Sequence, residues 1–417
     1  MSAKMKPIWP AFSCYGIELE YMIVDRDRLD VRPISPDLIK LLERESAVGA
    51  KVGKLECSNE FVKHVIELKN VEPQSDLLGM SSLFQTEIGR LNLFLEKLSA
   101  RLMPSGMHPW MNPAKETQIW DMEGSQLYRA YARVFDTETH GWANLQSIHI
   151  NLPFLDEQEF VRLHAAIRLV LPLLPALAAS SPIADGVLTG FADFRLEAYR
   201  KNAELMPSIT GDIIPEAISS YEEYRQVILV PMYREMAAHD SEGMLQHEWL
   251  NSRGAIARFD RQSIEIRLLD SQECPAADLA IVAAVVSFVQ DIYLCDRDLQ
   301  ELNAIPTEWL SAIFRQCVCE GECAVIHDQA YLKQIRGDRR PIAAGELWQW
   351  LFEKGPAMRA TLANYRAPLE HIFNQGTLSR RLASAFAPDC TRANLYSIYL
   401  DLCDCLSEGR LYSATVA

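Results

Sequence analysis

The sequence predicts an α+β fold in which an antiparallel sheet is covered on one side by helices. Three observations lead there. Apolar stretches with polar residues at every second position recur up to about residue 296, the period of a half-buried strand. Helical patterns interrupt them irregularly, which disfavours a doubly wound parallel sheet. No G-x-G-x-x-G turn joins a strand to a helix, so a dinucleotide fold would lack its phosphate loop.

The first element is YGIELEYMIVD (15–25), a strand with Ile17, Leu19, Tyr21 and Ile23 on one face and Glu18 and Glu20 on the other. ISPDLIKLLER predicts a helix with Ser35 as N-cap and Pro36 at its first position. SDLLGMSSLFQTEIGRLNLFLEKLSARL (75–102) has apolar residues at helical spacing and predicts one long amphipathic helix. ANLQSIHINLPF (143–154) alternates and predicts a strand, EQEFVRLHAAIRLVLPLL a helix, and RQSIEIRLLD (261–270) another strand. Beyond about residue 296 the texture is helical, as in GELWQWLFEK and TRANLYSIYLDLCDCLSEG. No repeat, low-complexity tract or Gly/Ser linker divides the chain. A single domain over 1–417 is expected, with a core of about 13–300 and a helical C-terminal extension of about 301–417.

Composition narrows the function. At 417 residues and 49% hydrophobic, the chain can bury a large core. Its net charge of −15 repels phosphate backbones and argues against a nucleic-acid partner, though not against a nucleotide held by metal ions or arginines. The ten cysteines form no Cys-x-x-Cys pair and read as reduced thiols of a cytoplasmic protein. The run CVCEGEC places Cys317, Cys319 and Cys323 together without an obvious fourth ligand for a soft metal. MSAKMKPIWPAF lacks the apolar core of a signal peptide. The apolar segments 165–184 and 279–294 contain charges or prolines and read as buried helices, so no membrane partner is expected. GAKVGKL (49–55) has one residue too few between its glycines, and Leu55 where a phosphate loop places Ser or Thr. HEWLN (247–251) lacks the second histidine of a zinc protease.

The informative residues are the polar ones inside apolar strands. Glu18 and Glu20 share a face and repel unless a cation sits between them; for this pair alone, a solvent-facing strand edge is the slightly better explanation. Glu60 and Glu67 lie seven residues apart in SNEFVKHVIELKN, with Glu67 in an apolar run, and an exposed helix face would account for that spacing too. His149 and Asn151 share a face of LQSIHINLPF, and Glu265 and Arg267 share a face of SIEIRLLD. Glutamates with one histidine suit Mg²⁺ or Mn²⁺. A curved sheet with a carboxylate-rich concave face, two or three such ions and nearby arginines holds a nucleoside triphosphate without any Gly-rich loop.

In order along the chain, YGIELEYMIVD, NEFVKHVIEL, PSGMHPW (104–110), QSIHINLP, LAASSPI (177–183) and RFDRQSIEIRLLDSQ together resemble the glutamate–cysteine ligase and carboxylate–amine ligase family, related in fold to glutamine synthetase. The resemblance covers roughly residues 13–300. Departures are Ser147 where many relatives carry a second histidine, Lys69 and Asn70 where a threonine often follows, and a longer loop before Glu265.

The resemblance implies a glutamine synthetase-like catalytic fold and ATP-dependent joining of a carboxylate, by default the γ-carboxylate of glutamate, to an amine, cysteine or another. Phosphate transfer would give an acyl phosphate, which the amine then attacks. The implied ligands of Mg²⁺ or Mn²⁺ are Glu18, Glu20, Glu60, Glu67, His149 and Glu265, with Glu56 competing for the place of Glu60. Glu265 and Arg267 are the expected catalytic pair. Arg195, Arg200, Arg253, Arg258, Arg267 and Asn151 are expected to bind nucleotide or substrate, and His108 to be structural. The expected partners are ATP and small molecules, and a homo-oligomer stays open. A phosphotransferase of the same superfamily, or an inactive metal- and nucleotide-binding protein, are the competing readings.

Overall fold

The computed structural model describes residues 8–45, 50–357 and 362–414. The first seven residues of the segment tested as a leader, and Gly49 of GAKVGKL, lie outside them. The strands are β1 (Gly16–Asp25), β2 (Lys51–Val52), β3 (Leu55–Asn59), β4 (Val65–Asn70), β5 (Ala100–Met103) and β6 (Ser147–Pro153). They continue with β7 (Ile183–Ala184), β8 (Val187–Leu188), β9 (Ala255–Arg258), β10 (Ser263–Asp270), β11 (Val325–Ile326) and β12 (Ile342–Ala343). Eight of them form one open sheet in the order β2-β3-β4-β1-β6-β10-β9, with β5 also on β1, and β7–β8 and β11–β12 are separate two-stranded pairs.

Strand β1 is long enough to take two partners end to end. Gly16–Leu19 pairs antiparallel with β6, and Met22–Asp25 pairs antiparallel with β5. At the junction, the Met22 N–H donates to Gln146 Oε1 at 2.6 Å, so a side chain supplies the acceptor that neither strand provides. The residues 75–102, expected as one helix, divide here: the helix runs Met80–Glu96 and β5 begins at Ala100. Ser99 turns the chain in the left-handed region at φ 53°, and the free edge of β1 gives Ala100–Met103 a ladder that outweighs helical periodicity.

The two faces of β1 are used differently. Ile17, Leu19, Tyr21 and Ile23 are buried in the main core, against helices Met80–Glu96, Glu157–Val170 and Pro275–Tyr293. The last is apolar on all sides because it lies inside the protein. Its Asp278 accepts from Tyr21 Oη at 3.1 Å and from the Gln272 N–H at 2.7 Å. On the opposite face, Met22 and Val24 are covered by the C-terminal helices Leu378–Phe386 and Arg392–Glu408, which form a second core. Glu18 and Glu20 continue that face beyond the helices and stay open to a cavity.

The helix Ser35–Glu45 forms as expected, but the Ser35 hydroxyl has no hydrogen-bond partner. The Ile34 carbonyl starts the helix instead, accepting from the Asp37 and Leu38 N–H groups at 3.0 and 3.1 Å.

Candidate active site

The site is the polar half of the face shared by β4, β1, β6 and β10. Register builds it: Glu20 lies opposite Glu67 and Glu18 opposite Lys69 across β1–β4, Glu18 opposite His149 across β1–β6, and Glu265 opposite Asn151 across β6–β10. Alternation then turns all these side chains to one face. Gly16 opposes Asn151, and a Cβ on it would sit 3.1 Å from Asn151 Cβ, so the family-like Gly-x-Glu-x-Glu leaves room for that asparagine.

Donor atoms of Glu18, Glu67 and His149 lie within 4.8 Å of one another. His149 Nδ1 is 3.2 Å from Glu18 Oε2, and its Nε2 is 3.0 Å from Ser147 Oγ. Ser147 Oγ also lies 2.8 Å from Glu20 Oε2, which accepts from the Ser147 N–H at 2.7 Å as well, so Ser147 bridges Glu20 and the His149 ring. Burial pushes the His149 pKa down, but the Glu18 hydrogen bond and the charges of Glu20 and Glu265 raise it to about 9. Burial likewise raises the Glu18 carboxyl, and the bond and charge of His149 outweigh that and hold it well below the ordinary range. Glu67 is raised to about 7 by burial and by Glu18, despite Lys69 Nζ at 2.7 Å. Burial and then Glu20, Glu67 and Glu18 push Glu60 far up. Crowded acids held partly protonated, with an imidazole among them, form the donor set a hard divalent cation would bind and neutralise.

Glu265 closes the group on the far side. It takes a hydrogen bond from Arg258 Nη1 at 3.0 Å and two from Arg267, through Nε at 3.2 Å and through Nη2. Asn151 Nδ2 donates to Glu18 Oε1 at 3.1 Å. Glu60 lies in the turn between β3 and β4 and stands outside the tight triad. Glu56 is half-exposed, 4.0 Å from Lys69 Nζ.

A cavity of about 250 Å³ opens beside Glu20, Glu60, His149, Arg195 and Arg267. A second, of about 470 Å³, lies beyond Glu18, with Lys69, Asn151 and Arg261 in its wall. The carboxylate cluster separates the two.

The arginines divide. Arg195, 2% exposed, gives Nε to Asp270 Oδ1 and lines the first cavity. Arg253 makes a bidentate pair with Glu216 at 2.7 Å on each nitrogen and binds the Ser208 carbonyl, so it ties a loop and lines neither cavity. Arg200 is half-exposed and paired with Glu197. His108 is buried between the Leu29 carbonyl and the Asn144 side chain, a structural position. In the cysteine run, Cys317 is buried while Cys319 and Cys323 are exposed, so the thiols do not converge.

Two contributors are absent from the expected site residues. Lys69 shares the face of Glu67 by simple alternation, a signal present in the sequence. Asp270 has the wrong parity for the site face. A bulge between Ile266 and Leu269 shifts the register, so that Asp270 pairs with Ser147 and joins it. There Asp270 also accepts from the Ser180 N–H and the Ser181 hydroxyl, both at 2.8 Å, and a Cβ on Gly106 would meet its carboxyl at 2.5 Å. The segments PSGMHPW and LAASSPI therefore meet at Asp270.

The open antiparallel sheet packed with helices is a fold shared with solved ligases. The bifunctional glutathione synthetase of Pasteurella multocida superposes with TM-score 0.57 at 14% identity, over 95% of this chain and 52% of that one. The glutamate–cysteine ligase of Francisella tularensis, solved with AMP, gives 0.56 at 14% identity, over 96% and 90%. A sequence model of glutamate–cysteine ligase family 2 matches residues 14–382, and the chain belongs to that family. An uncharacterized protein of Archaeoglobus fulgidus is 38% identical over 95% of this chain and 99% of its own. A protein of Cupriavidus metallidurans, provisionally named glutamate–cysteine ligase 2, is 30% identical over 44% of this chain and 46% of its own.

Proposed function

We propose that the protein is an ATP-dependent ligase that joins the carboxylate of an amino acid, glutamate by default, to an amine, with release of ADP and phosphate. The observation that carries this reading is the convergence of Glu18, Glu67 and His149 within 4.8 Å, between two cavities, in a chain of this family. One cavity takes the nucleotide and the other the reacting acid and amine, with phosphoryl transfer across the carboxylate cluster.

Glu18, Glu67 and His149 would hold one Mg²⁺ or Mn²⁺, and Glu20 and Glu265 flank a place for a second. Such ions neutralise the triphosphate and the transferring phosphoryl group. Lys69 and Arg261 meet phosphate from the wall of the larger cavity. Arg267, steered by its two bonds to Glu265, turns its remaining guanidinium edge to the transferring phosphoryl oxygens. Arg195 receives the carboxylate of the acid that does not react. Ser147 orients both Glu20 and the His149 ring.

The test is mass spectrometry of reactions containing ATP, Mg²⁺ and pooled amino acids and amines. The expected product has the mass of acid plus amine less one water, formed in step with ADP and free phosphate. Phosphate retained on the acceptor would instead make the protein a phosphotransferase. No nucleotide turnover with any pair would sink the enzymatic reading.

A further inference from the structure

Resting on the ligase reading above, we propose that the amine substrate carries no carboxylate of its own and has an apolar, arylalkyl body. The floor of the smaller cavity comes from the sheet, through Glu20, Ser147, His149 and Arg267. Its walls are mainly aromatic, from Phe61, Tyr128, Tyr131, Trp142, Tyr199 and Trp249, and the polar Asn202 and Ser252 beside them give their side-chain protons to the Gly141 and Leu250 carbonyls. These rings hold one another in place. Phe61 lies 5.5 Å from both Tyr128 and Trp142, and Tyr131 lies 5.5 Å from Trp142 and 5.8 Å from Trp249. Such walls attract rings and organic cations and offer little to an anion.

The charges decide the class. Apart from the His149 ring, assigned above to the metal site, the cationic side chains lining this cavity, among the described residues, are Arg195 and Arg267. Arg267 commits Nε and Nη2 to Glu265. Arg195 is almost wholly buried, and only its Nε is bonded, to Asp270; its Nη2 is buried without a partner. A buried guanidinium with unpaired nitrogens is matched by one anion, and the acid substrate brings that anion. A second carboxylate, such as that of cysteine, would be buried against aromatic faces and beside Glu20 and Glu60. An amine lacking it places its ammonium near those carboxylates and its body against the rings. In the reaction the ammonium first gives up one proton to solvent, and the freed amine nitrogen then forms the C–N bond as the C–O bond to phosphate breaks. Phosphate leaves with the electron pair, and the second proton, displaced from nitrogen, passes to solvent.

Two measurements test this on the full chain. By titration calorimetry without ATP, phenethylamine is expected to bind at least tenfold more tightly than phenylalanine, which differs only by the carboxylate, and more tightly than cysteine. Equal or tighter binding of phenylalanine or cysteine overturns the proposal. Trp249→Leu and Tyr131→Leu are each expected to weaken phenethylamine at least fivefold while leaving ATP affinity unchanged, which also reports that the fold is intact; unchanged amine affinity in both overturns it. In turnover with glutamate, ATP and Mg²⁺, kcat/KM for phenethylamine is expected to exceed that for cysteine at least tenfold, and the reverse order overturns it. Selective amine binding with no ADP from any acid would leave the binding inference standing and remove the ligase reading.

Discussion

At the scale of single residues, protons and metal compete for the same atoms. Glu67 titrates near 7 against an ordinary 4.5, and His149 near 9 against 6.5. Both pKa values are raised in the fold, so both groups stabilise the metal-free protein at low pH. That contribution fades as pH rises from about 4.5 through 7 for Glu67 and from about 6.5 through 9 for His149. The metal-free protein should therefore show a falling Tm between pH 6 and 9, and Mg²⁺ should restore most of the loss at the alkaline end. Calorimetry in buffers of differing ionisation enthalpy should show protons released on Mg²⁺ binding, with affinity rising over the same interval. Glu67→Gln keeps the shape but removes the charge. It should weaken Mg²⁺ binding by roughly two orders of magnitude and abolish amide formation; unchanged affinity would place the ion elsewhere.

At the scale of elements, the site is a product of register. The three strands that carry Glu18, His149 and Glu265 were readable because their polar residues fall two apart in apolar runs, as in SIHINL and SIEIRL. Glu67 was harder to place, since seven residues from Glu60 fits a helix as well as a strand, and only the β1–β4 ladder settles it. The bulge in β10 left no periodic trace, because RLLD reads as unbroken strand, and so Asp270 escaped notice. The arginines were the least legible. Arg195, Arg200 and Arg253 look alike in sequence, and their roles depend on the acid each meets in space. The Asp270–Arg195 pair is buried on both sides, so Asp270→Asn should leave Arg195 uncompensated. It should cost about 3–5 kcal/mol, measured by urea denaturation, and should raise KM for the acid more than for ATP.

At the scale of the whole molecule, the C-terminal helices belong to the sheet. Arg381 donates to Glu273 Oε1 at 2.6 Å and to the Tyr412 carbonyl at 2.5 Å, with both side chains of the ion pair buried. Glu273 lies three residues past the end of β10, so this pair ties the last helices to the strand that carries Glu265 and Arg267. Sequence reading recognised those segments as helical, but their docking rests on a contact more than a hundred residues apart in the chain. Arg381→Met should lower stability by about 3–5 kcal/mol. Ending the chain at residue 376 would expose Met22, Val24 and Met103 of the second core and should yield insoluble protein, judged by the soluble fraction after expression.

The central position of β1 has a further consequence. If β1 slid by one residue against β4 and β6, Glu18 and Glu20 would enter the main core, while Ile17, Leu19 and Tyr21 would face the cavity. Two unpaired carboxylates in that core would cost far more than the hydrogen bonds of the slipped ladder could return. The two glutamates thus act as a proofreading device during folding: the charges that serve the site also reject the misaligned sheet.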